Sequence, residues 1–292
     1  MARIAVLGPG GVGVLVAARL ATSGHDVTMI ARERTAAALL VDGIQIRHGA
    51  EGVRARPPAR TSLVEPVDLL VVTVKATGLL DALTRCPAGT VGDARVVPFL
   101  NGVDHVPLLR SVYPAARVVP AAIRVQVTLV APGNAVQGSP HDDVVLPSGP
   151  DADVVAEILG GAGFPIEREP DEARVLWSKL AVLAPMALLC TAEGVPLGEA
   201  RERRPERLAA LVDEVVTAAA TAGVELDAAV IAARLAALPP AQQPSMLTDR
   251  LAGAEPELEA IAGPILRAPT PRPPSETAAA VLDILEAIAR PA

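Results

Sequence analysis

The chain has 292 residues, 51% of them hydrophobic and only 1% aromatic, and a formal net charge of −7. That length accommodates two domains with cores of their own. An acidic balance, with no basic block and no aromatic platforms, argues against nucleic acid as a partner. Cys86 and Cys190 make no metal or redox spacing and read as small buried hydrophobes in a reducing compartment. His25, His48, His105 and His141 form no cluster, so no metal site is expected. The N-terminal stretch "MARIAVLG" is too short for a signal peptide. No apolar run reaches the roughly 20 residues of a membrane span, so a cytoplasmic, soluble protein is expected.

In chain order, "RIAVLG" (3–8) reads as a buried strand ending in glycine, and "GVLVAARLATSG" follows with helical spacing. "HDVTMIAR" is a second strand and "ERTAAALLVDG" a short helix. "IQIRH" and "GVRARP" form a small β excursion. "VDLLVVTVK" (67–75) is a third strong strand, "ATGLLDALTRC" a helix and "ARVVPFLNG" (94–102) a further strand. Strands alternating with helices imply a parallel sheet with crossover connections. From Arg117 the apolar residues alternate without an intervening helix, and "APGNA" is suited to a hairpin turn. "DADVVAEILGGAG" is one more helix and "FPIERE" the last strand. Beyond Pro170 only helices are expected, at 171–192, about 204–222, about 227–237 and 275–289. The expectation is an α/β chain: an N-terminal Rossmann-like doubly wound dinucleotide-binding domain over 1–169 and an all-α domain for substrate or dimerisation over 170–292.

Gly8-Pro9-Gly10-Gly11-Val12-Gly13 is a G-x-G-x-x-G that follows a strand and opens a helix. Gly8 makes the tight turn, Gly10 admits a pyrophosphate close to the backbone, and Gly13 lets the helix pack on the strand. The helix N-terminus, with Gly11 and Val12 in its first turn, offers N–H groups to the phosphates. NAD sites place an acidic residue at the end of the second strand; here that strand runs into "ARER", presenting Arg32 and Arg34. A guanidinium matches a 2′-phosphate in charge and fork geometry, which favours NADPH. The competing reading is that these are solvated charges at a helix start.

Two more polar residues fall at strand ends on the edge that carries the glycine loop: Lys75 in "VVTVKATG" and Asn101 in "VVPFLNGVDH". Ligands of open α/β sheets sit beyond that edge. Farther on, "VLWSKLAVLAPMALLC" holds one cation, Lys179, in a segment otherwise apolar apart from Ser178. Such a helix is buried on all sides, and its ammonium has two readings. It either stabilises and protonates an oxyanion, or its stem lies on the core while its head reaches water.

This ordered set resembles the ketopantoate reductases (2-dehydropantoate 2-reductases): an N-terminal GxGxxG, an arginine after the second strand, "VK-A" and "NG" at strand ends, "KLAV" at 179–182, and "PSMLTDRLAGAEPELE" at 244–259. The resemblance covers roughly residues 2–264. It implies a two-domain NADPH-dependent reductase that binds a 2-oxo acid in the interdomain cleft. By the same resemblance Lys179 is the catalytic lysine and Glu257 the acid of the second domain. Asn101 then positions substrate and contacts cofactor, Ser245 meets the substrate carboxylate, and Lys75 lies near both ligands. Burial lowers such a lysine's pKa while a nearby glutamate raises it.

The chain departs from the family where asparagines usually stand four and eight residues beyond the lysine; here they are Leu183 and Ala187. Ala254 and Ala262 likewise replace polar residues, and Pro185 is placed to kink the helix. The expected substrate is therefore ketopantoate or a more apolar relative, as ketone or imine. Two other readings stand beside it: an NAD-dependent β-hydroxyacid dehydrogenase-like enzyme, which Arg32 opposes, and an NADPH-binding sensor or interaction protein that has lost the chemistry. "LVDEVVTAAATAGV" is apolar enough to support a homodimer.

Overall fold

The computed structural model describes residues 1–289. The chain forms two compact units, one made of Met1–Leu100 and His105–Val175, the other of Asn101–Asp104 together with the chain from Leu176 on.

The first unit is the α/β part. Its strands in chain order are β1 (Arg3–Leu7), β2 (Asp26–Ile30), β3 (Ile44–His48), β4 (Glu51–Ala55), β5 (Ala59–Arg60), β6 (Leu69–Val72), β7 (Arg95–Pro98), β8 (Arg117–Val118), β9 (Ala122–Arg124), β10 (Val127–Ala131), β11 (Asn134–Gln137), β12 (Asp143–Pro147) and β13 (Ile166–Glu169). Six of them make a parallel sheet in the order β5-β2-β1-β6-β7-β8, the Rossmann-like core expected from the alternating pattern. β1 and β6 sit at its centre, and Leu69, Leu70, Val71 and Val72 are completely buried. Continuous apolar runs of this kind suit strands covered on both faces.

The two β excursions read separately along the sequence join into one sheet, β10-β11-β3-β4, through parallel pairing of Asn134–Val136 with Gln45–Arg47. A third sheet has the order β13-β12-β9. The helix Gly11–Thr22 packs against strands of both larger sheets, and Val14, Leu15, Val16, Ala17, Ala18 and Leu20 are all at most 1% exposed. Its apolar residues surround the whole helix because it has a sheet on each side.

The strands end earlier than their apolar runs. β6 stops at Val72, so Lys75 stands three residues beyond it and immediately precedes the 3₁₀ turn Ala76–Gly78. The helix expected to start at once after Lys75 begins at Leu79. β7 likewise stops at Pro98, before Asn101. The helix His105–Val112 was not apparent in the sequence; at eight residues, with a proline in its first turn, its period hardly repeats.

The second unit is helical among its described residues, built from the long helix that begins at Glu172 and from Leu197–Arg203, Pro205–Thr221, Ala228–Ala237, Ser245–Leu251, Leu258–Leu266, Pro274–Thr277 and Ala279–Ala289. Asp227 caps one helix by accepting the N–H groups of Ala229 and Val230. Glu214 does the same for another, taking the N–H groups of Ala280 and Val281 at 2.6 and 2.9 Å. Leu197–Arg203, Ser245–Leu251 and Leu258–Leu266 carry too few turns to show periodicity in the sequence.

One expectation is corrected here. Glu172–Glu193 is a single 22-residue helix, long and apolar enough by length and composition to cross a membrane, contrary to the reading that no segment reaches that length. Burial of 72% of its most apolar window identifies it as a core helix. It also continues through Pro185, whose ring removes one backbone donor without ending the helix.

Candidate active site

The glycine loop lies between β1 and the helix Gly11–Thr22, and its glycines answer to different constraints. Gly8 has φ +110°, and a Cβ there would come within 2.8 Å of the Val74 backbone nitrogen. A Cβ on Gly13 would stand 1.9 Å from the Gly8 carbonyl oxygen, so the helix packs on the turn only because that atom is missing. On Gly11 it would stand 2.4 Å from the Val127 carbonyl, giving this position a packing reason of its own. Gly10 alone has room, the nearest atom being 3.9 Å away. In a turn of this type that is the position a pyrophosphate approaches. Crowded glycines around one uncrowded glycine fit a dinucleotide-binding turn.

Thr73, which sequence reasoning passed over, fastens this turn. Its N–H donates to the Leu7 carbonyl at 2.8 Å, and its hydroxyl lies 2.7 Å from the Gly8 carbonyl and 3.0 Å from that of Leu7. Gly8 in turn donates its N–H to Ile30, tying the loop to β2. The available signal was the polar residue closing "LLVVT" at the edge where ligands bind.

Arg32 is the residue before the helix Glu33–Asp42, exposed, with Nη2 3.0 Å from Oδ2 of Asp81. Arg34 and Lys75 are also exposed. Arg32 and Lys75 follow β2 and β6, which flank β1, so both stand on the edge of the sheet that carries the glycine loop.

In the helical unit the structure brings three of the expected residues together. Asn101 lies in the short segment Asn101–Asp104 that belongs to this unit, and its Nδ2 donates to Oε2 of Glu257 at 3.3 Å. Glu257 is 6% exposed. Lys179 is partly buried, two turns into the helix Glu172–Glu193. Burial of its ammonium pushes the pKa from 10.5 down to about 8, while the nearby Glu257 carboxylate raises it. The result is a chain of polar groups, Lys179–Glu257–Asn101, set in apolar surroundings. A cation whose proton is loosened by burial and kept by a carboxylate suits proton donation near neutral pH. Ser245 opens the helix Ser245–Leu251 and is exposed.

The segment that carries Asn101 is held by contacts the sequence did not disclose. Gly102 has φ +82° and lies so close to the helix Leu258–Leu266 that a Cβ would stand 2.2 Å from the Ala260 carbonyl. Arg267 pairs with both Asp104 and Glu259. Glu257 is the residue just before that helix, so one element supplies the acid and anchors the segment bearing the asparagine.

The helix face that bears Lys179 has its own character. Ser178, Lys179, Val182 and Leu183 are only partly buried, whereas Leu180, Ala181, Ala184 and Ala187 are at most 1% exposed. Residues three and four apart share a face, so the group beside the ammonium one turn on is hydrocarbon.

Comparison with known proteins settles the lineage. The family model described as ketopantoate reductase PanE/ApbA matches residues 4–150, and its C-terminal counterpart matches residues 172–270. The chain belongs to the ketopantoate reductase family. A 2-dehydropantoate 2-reductase of Mycobacterium tuberculosis is 35% identical over 189 residues; that match covers 62% of this chain and 60% of the relative, so it spans less than two thirds of the relative's length. One from Archaeoglobus fulgidus is 31% identical over 276 residues, covering 91% and 90%. Among solved structures, the family's ketopantoate reductase from Ralstonia eutropha JMP134 superimposes with a TM-score of 0.86 at 24% identity over 98% of both chains, a likeness of fold.

Proposed function

We propose that this protein is an NADPH-dependent reductase that converts a 2-oxo acid to the 2-hydroxy acid. The observation that carries the reading is the Lys179–Glu257–Asn101 chain with its depressed lysine pKa. When bound, the nicotinamide supplies a hydride to the carbonyl carbon. Lys179 stabilises the negative charge that develops on the carbonyl oxygen and gives that oxygen a proton. Glu257 keeps the ammonium charged against burial and holds the Asn101 amide, which positions the substrate. Ser245 is assigned to the substrate carboxylate. Gly8, Gly10, Gly11, Val12 and Gly13 hold the pyrophosphate, Arg32 takes the 2′-phosphate, and Lys75 and Asn101 lie toward the nicotinamide end.

Ketopantoate carries a hydroxyl that needs a partner, and Leu183 and Ala187 provide none. The preferred substrate is therefore a 2-oxo acid of ketopantoate's size or larger whose side group is more apolar. Ketopantoate itself is reduced less well, because an unpaired buried hydroxyl costs roughly 1–3 kcal/mol.

NADPH oxidation measured with ketopantoate and with 2-oxo acids of equal size lacking the hydroxyl tests the reading. Turnover is expected to favour the latter and to vanish in Lys179→Ala while NADPH still binds. Tight NADPH binding without turnover across ketones and imines would instead favour a nucleotide-binding sensor.

A further inference from the structure

The ion pair between Arg32 and Asp81 joins two parts of the α/β unit that no local pattern links. Arg32 comes two residues after β2, and Asp81 lies in the first turn of the helix Leu79–Leu83, which follows β6. β2 and β6 are the two neighbours of β1, whose continuation is the glycine loop. All three strands are parallel, so their carboxyl ends share one edge. A contact from the segment after β2 to the segment after β6 therefore spans the carboxyl end of β1, the end that carries the glycine loop, and in this fold a dinucleotide's phosphates sit at that loop.

We propose that Asp81 is a specificity-determining residue: its carboxylate competes with the adenosine 2′-phosphate for Arg32 and so sets how strongly the protein prefers NADPH to NADH. The inference rests on the assignment of Arg32 to the 2′-phosphate. The side chains of Arg32 and Asp81 are 73% and 59% exposed, with a single nitrogen, Nη2, engaged at 3.0 Å. A pair so open to water is weak and readily exchanged. Nε and Nη1 of the fork remain available to a phosphate, which can carry two negative charges against the carboxylate's one.

Binding of the phosphate brings it to the same guanidinium that Asp81 contacts, and the carboxylate then stands as a like charge a few ångströms away. NADH, with a 2′-hydroxyl, meets no such repulsion. Asp81 thus restrains the advantage that Arg32 alone would give to NADPH, and the retained carboxylate lowers the discrimination between the two cofactors.

The test uses the full chain and two adenosine probes, 2′,5′-ADP and 5′-ADP, whose affinities are measured by calorimetry in low salt. Asp81→Asn is expected to tighten 2′,5′-ADP by roughly three- to tenfold, the scale of one like charge at a solvated surface, and to leave 5′-ADP unchanged. Asp81→Glu should restore the wild-type values, and added salt should shrink the difference. Unchanged or weakened 2′,5′-ADP binding in Asp81→Asn would overturn the proposal. Arg32→Met separates the two possible failures. If it abolishes the preference for 2′,5′-ADP while Asp81→Asn is silent, only the role of Asp81 is lost. If Arg32→Met is itself silent, the assignment of Arg32 fails and the proposal falls with it.

Discussion

Lys179 offers the sharpest test, because the chain contains only two lysines, Lys75 and Lys179. Reductive methylation with ¹³C-labelled formaldehyde keeps the amines titratable and gives three resonances, from these side chains and the N-terminus; Lys179→Met identifies the one that matters. Its titration midpoint is expected near 8, the value to which burial brings the ammonium against the pull of Glu257. The fall from 10.5 to about 8 corresponds to about 3.5 kcal/mol, at roughly 1.4 kcal/mol per pH unit. The sign follows from linkage. Between pH 8 and 10.5 the unfolded chain holds this proton and the folded chain does not, so the group's contribution to stability rises with pH across that window. Below pH 8 both states are protonated and the full cost is present. Denaturant unfolding should therefore show the wild type gaining about 3 kcal/mol relative to Lys179→Met between pH 8 and 10.5. Glu257→Gln removes the carboxylate and should move the midpoint lower, and the alkaline limb of kcat/KM should move with it. A Lys179 midpoint above 10, or one that rises in Glu257→Gln, would refute the account of the site.

Three further outcomes are expected. Gly13→Ala forces a Cβ against the Gly8 carbonyl and should destabilise the protein by about 1–3 kcal/mol, whereas Gly10→Ala, where the nearest atom is 3.9 Å off, should keep the melting temperature and lose dinucleotide affinity. Arg267→Met releases the segment of Asn101 from Asp104 and Glu259; KM for the carbonyl substrate should rise with cofactor affinity unchanged, and lysine, which lacks the two-sided fork, should not restore it. Leu183→Asn supplies the missing polar partner and should raise kcat/KM for ketopantoate relative to its deoxy analogue by about tenfold, the worth of one buried hydrogen bond; an unchanged ratio would remove Leu183 from the substrate site.

Short-range signals were legible along the chain. A glycine fingerprint after an apolar strand names its own use, since turn geometry and close packing demand glycine at fixed offsets. The alternation of strands and helices announced the parallel sheet, and one cation in an apolar helix marked itself. Family resemblance supplied Glu257 and Ser245, which no spacing singles out. The strand limits were less legible, because apolar runs such as "LLVVTVK" continue past the last paired residue, and helices of two turns leave too little periodicity to detect.

Local pattern, then, determined the main strands, the longer helices and the glycine spacing of the first turn, because those properties depend on residues within a few positions of one another. The fold decided what lies far apart in sequence and close in space. It joined β3 to β11, placed Thr73 beneath the glycine turn and Asp81 against Arg32, and carried Asn101 into the helical unit beside Glu257. None of these pairs shares a helical turn or a hairpin, so only packing of the whole chain could select them.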